Sequence, residues 1–158
     1  MSSIETDVPV FRRAAMDFLA RREHSHYELQ QKLAAKFPDA DHSVLLSAIE
    51  RLRQENLQSD ERFTEAFIRY RKSRGFGMRH IQQDLKLRGV DDRLLEKYLF
   101  EDDEDWMKIV QGLVVKKLGN VQKLEFGDSA HRRLVRFLES RGFQSTQIQY
   151  ALSARLKC

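Results

Sequence analysis

A chain of 158 residues, 33% charged and 41% apolar, has the length of one domain or a short array of small units, and is too apolar to remain disordered. Seven glycines and two prolines are too few turn residues for a many-stranded sheet, and apolar runs of only a few residues exclude a membrane helix. The net charge of +4 is unevenly spread: residues 1–61 sum to −3, 62–100 to +5, 101–105 to −5 and 106–158 to +7.

The opening residues, from Met1 to Asp7, carry acid where a signal peptide carries base, so the chain is expected to stay in the cytoplasm. From there apolar residues recur at helical spacing along almost the whole length. Phe11, Ala14, Ala15, Phe18 and Leu19 form the first stripe, on a helix near 8–22. Ser25 and Glu28 read as a capping box that starts a helix near 26–36, and Pro38 stops it. Leu45, Ala48, Ile49 and Leu52 mark a third helix, near 42–54. Ser59, followed by Asp60 and Glu61, caps a fourth near 60–74, whose stripe is Phe63, Ala66, Phe67 and Tyr70. Helices near 78–88 and 91–100 follow. The acidic run 101–105 starts the next, near 103–118, with the stripe Trp106, Ile109, Val110, Leu113 and Val114. The last two lie near 128–140 and 146–156. Gly75, Gly89, Gly119 and Gly142 stand where a helix end needs a left-handed residue. No segment alternates well enough to predict a strand.

An internal repeat organises these helices. Phe18 with Arg22, Phe67 with Arg71 and Phe137 with Arg141 each place an aromatic one turn before an arginine. A second helix follows each, ending its apolar stripe at Leu33, Leu85 and Leu152. The offset from phenylalanine to the first aliphatic of that second helix is 11, 14 and 11 residues, the extra three falling around Gly75-Phe76-Gly77. A third helix completes the first two units, whereas in the last the chain ends and the helix near 103–118 stands apart. We therefore expect an all-α fold: tandem three-helix repeats in an elongated, curved array of about nine helices. The divisions fall at 1–57, 58–102 and 103–158, the first more acidic and the other two basic. The phenylalanines and the three leucines are repeat anchors. Arg22, Arg71 and Arg141, near helix C-termini, suit the helix dipole and the following turn.

Chemistry is sparse. Gly75-Phe76-Gly77 is a lone Gly-x-Gly between helices, without the strand that a nucleotide loop follows. His24, His26, His42, His80 and His131 show no metal-ligand spacing, and His24 and His26 read as solvated turn residues beside Ser25. Cys158 is the single cysteine, so no internal disulfide is expected. Consecutive acids on a helix point in different directions, so 101–105 does not converge on a cation. No cofactor, metal or catalytic residue is expected. The basic groups are the candidate site: Arg69, Lys72 and Arg74, then Arg79, Lys86 and Arg88, and finally Arg132, Arg133 and Arg136. A guanidinium pairs in a fork with either a phosphate or a carboxylate, so these clusters suit nucleic acid or an acidic protein surface. The other reading is a well-solvated helical surface.

The run from Ala20 to Ser25 with Glu28, Leu29, Lys32 and Leu33 resembles the opening signature of the RecX family. Asp60 to Phe63, Arg69, Arg71, Gly75 to Gly77, Ile81, Leu85, Gly89 and Val90 are similar to its central segment. Glu104 to Trp106 resemble the start of the region that follows, and Arg136 to Leu138, Arg141 to Phe143 and Ile148 its C-terminal signature. The likeness covers roughly residues 14–156. Where the family has an aliphatic residue and two aspartates, this chain has Gln58, Ser59 and Asp60. A monomer is expected, and the resemblance implies that it binds the RecA nucleoprotein filament. It implies inhibition of strand exchange, ATP hydrolysis and co-protease activity by lodging in the filament groove and limiting growth, with single- or double-stranded DNA as a further partner. The alternative from another class is a stand-alone DNA-binding protein built from basic three-helix modules.

Overall fold

In the computed structural model the described residues are 2–120 and 123–157, and among them nine helices account for nearly all regular structure. In chain order these are α1 (Ser2–Arg21), α2 (His26–Lys36), α3 (His42–Gln54), α4 (Asp60–Ser73), α5 (Met78–Leu87), α6 (Asp92–Tyr98), α7 (Glu104–Leu118), α8 (Ser129–Ser140) and α9 (Ser145–Ser153). Cys158 lies outside the described residues. Among the described residues no helix is long and apolar enough to cross a membrane.

The caps set the boundaries. Ser25 Oγ accepts from the Glu28 amide at 3.0 Å while Glu28 Oε1 accepts from the Ser25 amide at 3.1 Å, the reciprocal box read from the sequence. Ser59 Oγ accepts from the Arg62 amide at 3.2 Å. Asp103 and Asp128 cap α7 and α8 through the amides of Asp105 and His131. Gly75, Gly89, Gly119 and Gly142 all have positive φ, as a left-handed helix end requires.

The chain divides into two units. The first comprises the residues up to Phe67 together with Leu85–Leu95, and the second comprises Ile68–Asp84 with the residues from Glu96 onward. The division falls inside α4, α5 and α6. In the first unit, α1, α2 and α3 enclose a core of Phe11, Ala14, Ala15, Leu29, Leu33, Leu45, Ala48, Ile49 and Leu52. These are the stripes at i, i+3, i+4 and i+7 meeting one another, and removal of their apolar surface from water drives the packing. In the second unit, Val110 and Val114 of α7 join Leu134 and Leu138 of α8 and Phe143, Ile148 and Leu152 around α9. The helix that stands outside the sequence repeat thus supplies the third face that α8 and α9 lack. Trp106, on the same helix, is 1% exposed, and its Nε1 donates to the Phe100 carbonyl at 2.6 Å.

One element departs from the sequence reading. Strand β1 (Leu124–Glu125) pairs in parallel with β2 (Leu156–Lys157), Leu124 opposite Leu156, and α9 stops at Ser153. Two residues are too few for alternation to register. The pairing follows from tertiary packing, since Leu124 is buried in the second core with Leu156 against it.

Within the second unit two glycine turns meet backbone to backbone. The Gly77 amide donates to the Arg141 carbonyl at 2.7 Å, and the Arg79 amide to the Gly142 carbonyl at 3.2 Å. A Cβ on Gly77 would fall 2.7 Å from the Gly142 carbonyl carbon, and one on Gly142 would collide with the His80 amide nitrogen. Only glycine permits this approach, and Gly142 also has φ of 97°.

Candidate functional site

The three repeated phenylalanines are half-buried at the edges of their cores and each carries cations. Lys32 lies 5.1 Å from the Phe18 ring centroid, Arg88 lies 4.8 Å from Phe67, and Lys117 and Arg141 lie 4.3 and 5.1 Å from Phe137. Leu33, Leu85 and Leu152 are buried. The repeated arginines follow with three different partners. Arg22 makes a two-pronged contact with Glu28 at 3.0 and 3.1 Å and donates to the Glu23 carbonyl. Arg71 pairs with Asp84 at 3.0 Å and lies 4.9 Å from the Phe76 ring. Arg141 lies 4.5 Å from Phe76 and donates to the Arg74 carbonyl at 3.2 Å.

The first unit holds a buried polar cluster that spacing did not reveal. His24, expected in solvent, is 1% exposed. Its Nδ1 is 3.0 Å from the Arg22 carbonyl and its Nε2 is 2.8 Å from Lys32 Nζ. Burial, and then the Arg22 and Lys32 charges, hold the imidazole below its ordinary range and so keep it neutral; the backbone hydrogen bond and Glu28 oppose this. Neutral His24 therefore donates from Nδ1 and accepts the lysine proton at Nε2. Burial would raise the Glu28 carboxyl, but the donors on Arg22 and Ser25 outweigh it and hold the group below its usual value. Gln58 is also buried, and its Nε2 donates to the His24 carbonyl and to Asp60 Oδ1 at 3.2 and 3.0 Å. Asp60 Oδ1 in turn accepts from the His26 amide at 2.8 Å. These bonds satisfy the amide nitrogen of Gln58, whereas its Oε1 is buried with no hydrogen-bond partner among the described residues.

The candidate basic residues separate into distinct environments. In the second unit Arg69, Arg74 and Arg79 are exposed, as are Arg132, Arg133 and Arg136 on α8. The α8 arginines sit at i, i+1 and i+4, on a flank opposite buried Leu134 and Leu138. Arg133 Nε lies 3.4 Å from the Ser129 carbonyl, and none of the three pairs with a carboxylate among the described residues. Lys72 does not stand with them. It is turned onto Asp103 at 2.6 Å and Asp105 at 2.9 Å, with the Trp106 ring 4.6 Å away. Burial opposes its charge, yet the two aspartates outweigh that and raise its pKa. The acidic run therefore caps α7 as expected and also holds Lys72. In the first unit Lys86 is exposed, whereas Arg88 is half-buried, 3.4 Å from Glu28, with its carbonyl accepting from Ser25 Oγ at 2.7 Å.

Among the described residues no three His, Cys, Asp or Glu side chains gather as a metal site would require. The outward chemistry is cationic: exposed arginine forks and lysines, whose natural counterparts are carboxylates and phosphates. Small three-helix units carrying such a surface define the class as an all-helical protein with cationic faces.

Comparison with known proteins makes the assignment specific. Residues 12–52 match the family model described as RecX, first three-helix domain, and residues 59–99 match the second three-helix domain. Two curated relatives named Regulatory protein RecX come from Pseudomonas entomophila, 37% identical over 94% of each chain, and Vibrio vulnificus, 35% identical over 88% of each. The crystal structure of RecX from Lactobacillus salivarius shares the fold, with a TM-score of 0.75, 20% identity and coverage of 94% of this chain and 96% of that one. The chain belongs to the RecX family of regulatory proteins.

Proposed function

We propose that this chain is a cytoplasmic regulator that binds the RecA nucleoprotein filament as a monomer and inhibits its recombinase, ATPase and co-protease activities by lodging in the groove and blocking extension. In this reading it acts in DNA repair, recombination and the SOS response, with single- or double-stranded DNA as a further partner. The three repeats at 1–57, 58–102 and 103–158 would serve as successive contact modules. The observation that supports the reading is the row Arg132, Arg133 and Arg136, exposed on one flank of α8 without a carboxylate partner among the described residues. Such a row attracts phosphates or acidic side chains, and its contribution falls as salt rises.

The test is RecA's ATP hydrolysis on single-stranded DNA with the protein added after filaments form. Inhibition below one copy per RecA, without displacement of DNA, is the expected outcome. Tight binding to naked DNA with unchanged hydrolysis would replace the proposal with the stand-alone DNA-binding reading. Glutamate at the three α8 positions is expected to weaken filament binding and flatten its salt dependence, and an unchanged salt series would remove that row from the interface.

A further inference from the structure

The second unit has an apolar groove between the end of α7, β1 and α8. Leu118 at the end of α7, Leu124 of β1, and Leu134 and Phe137 of α8 line it, with the small side chain of Ala130 between them. Cations border the same groove. Lys117 lies on the α7 side against the Phe137 ring, and Arg133 lies on the α8 side. Neither pairs with a carboxylate among the described residues, although both are exposed. Arg136 is one turn along from Arg133 on the same flank, and Lys116 and Lys123 add exposed positive charge beside Lys117 and Leu124.

We infer that this groove is a docking site for an acidic amphipathic peptide segment of a partner protein. The segment would place aliphatic side chains at i, i+3 or i+4 and i+7 in the groove and aspartates or glutamates against the cationic borders. Charge complementarity selects the partner's sign, and the lining selects its class. Aliphatic side chains give a phosphate backbone nothing to pair with, and Phe137, the one ring in the groove, already carries Lys117 and Arg141. An acidic helix satisfies both features, its leucines leaving water while its carboxylates meet lysine and arginine at the rim. The inference goes beyond the filament reading and does not rest on it.

The test uses the full chain and a fluorescein-labelled synthetic peptide, rich in glutamate with leucines at helical spacing, followed by fluorescence anisotropy. The comparison probes are a scrambled peptide of the same composition and a labelled single-stranded oligonucleotide. Ala130→Trp fills the groove from an exposed helical position, and is expected to weaken the peptide at least tenfold. The pair Lys117→Glu and Arg133→Glu should weaken it similarly, with a smaller loss at high salt, and the scrambled peptide should bind at least tenfold less tightly than the ordered one. No binding, equal binding of the scrambled peptide, or indifference to Ala130→Trp at an unchanged melting temperature would each overturn the inference. So would an oligonucleotide that displaces the peptide and is itself lost in Ala130→Trp, which would reassign the groove to nucleic acid.

Discussion

The two units use arginine in opposite ways. In the first, guanidinium groups are matched to carboxylates: Arg12 with Glu55, Arg53 with Glu50, Arg62 with Glu23, and Arg22 and Arg88 with Glu28. In the second, Arg141 lies against Phe76 and Phe137, Arg71 against Phe76 and Asp84, and the α8 row faces outward. The contrast follows from composition. Residues 1–61 carry more acids than bases and 106–158 far fewer, so the later cations have too few internal counter-charges to meet. A surface that has neutralised itself is a poor anion receptor, and one that has not is a good one. The second unit therefore carries the larger share of outward-facing cations, and the first has the more self-contained electrostatics.

The largest expected effect tests how the second unit holds its arginines. Gly142→Ala forces a Cβ into the His80 backbone at a left-handed φ, and should destabilise the protein by roughly 3 kcal/mol in urea unfolding. Gly119→Ala, also at positive φ but with open space around it, should cost about 1 kcal/mol. Equal losses would show that backbone conformation, and not the close approach of the two turns, sets the cost.

Next come matched truncations in the two units. Arg141→Ala removes two ring contacts and a hydrogen bond, and Glu28→Ala removes half a capping box and two guanidinium partners. Each should cost about 2 kcal/mol. Added salt should shrink the Glu28 effect more than the Arg141 effect, because Arg141 acts largely through ring stacking and packing. If salt acts on both alike, the distinction between charge pairing and stacking fails.

A smaller effect is pH-dependent. His24 has a lowered pKa in the folded chain, so the unfolded chain binds its proton more readily. The stability this provides is present above the ordinary histidine value of about 6.5 and is lost as pH falls below it. Asp103 in the second unit is also lowered: burial opposes this, and the bonds from Lys72 and the Asp105 amide prevail. Its contribution persists until pH falls below about 3.9. Between pH 7.5 and 5.5, amides of α2 should therefore lose hydrogen-exchange protection, after correction for intrinsic rates, while those of α7 hold theirs. His24→Gln should abolish the difference, and a parallel loss in both helices would place the acid-sensitive group elsewhere.

The smallest expected stability change belongs to the α8 row. Arg132→Glu, Arg133→Glu and Arg136→Glu together should shift unfolding by less than about 0.5 kcal/mol, since the groups are exposed and lack internal carboxylate partners. A large shift would mean that the row stabilises the fold and is not reserved for a partner.

Local physics made much of this legible in advance. The apolar stripes, the Ser25–Glu28 box, the cap at Ser59 and the left-handed glycines each act within a few residues, so spacing and residue type were enough to place the helices. The repeat of phenylalanine, arginine and a second helix was visible because residue type and spacing recur along the chain. The sequence likewise carried the exposure of the α8 arginines, through the phase of Leu134 and Leu138. Contacts between residues distant in the chain were not legible. Whether His24 is wet or buried depends on Lys32 and Gln58 closing around it. Whether Lys72 faces outward depends on acids more than thirty residues away, at Asp103 and Asp105. The role of α7 as the third wall of the last core, the two-residue parallel pairing and the meeting of Gly77 with Gly142 have no periodicity to announce them. Helical periodicity, capping and net charge are properties of neighbouring residues and are written in order along the chain. Burial, ion pairing and the groove beside Phe137 come from chain segments brought together by folding, and only the tertiary structure decides them.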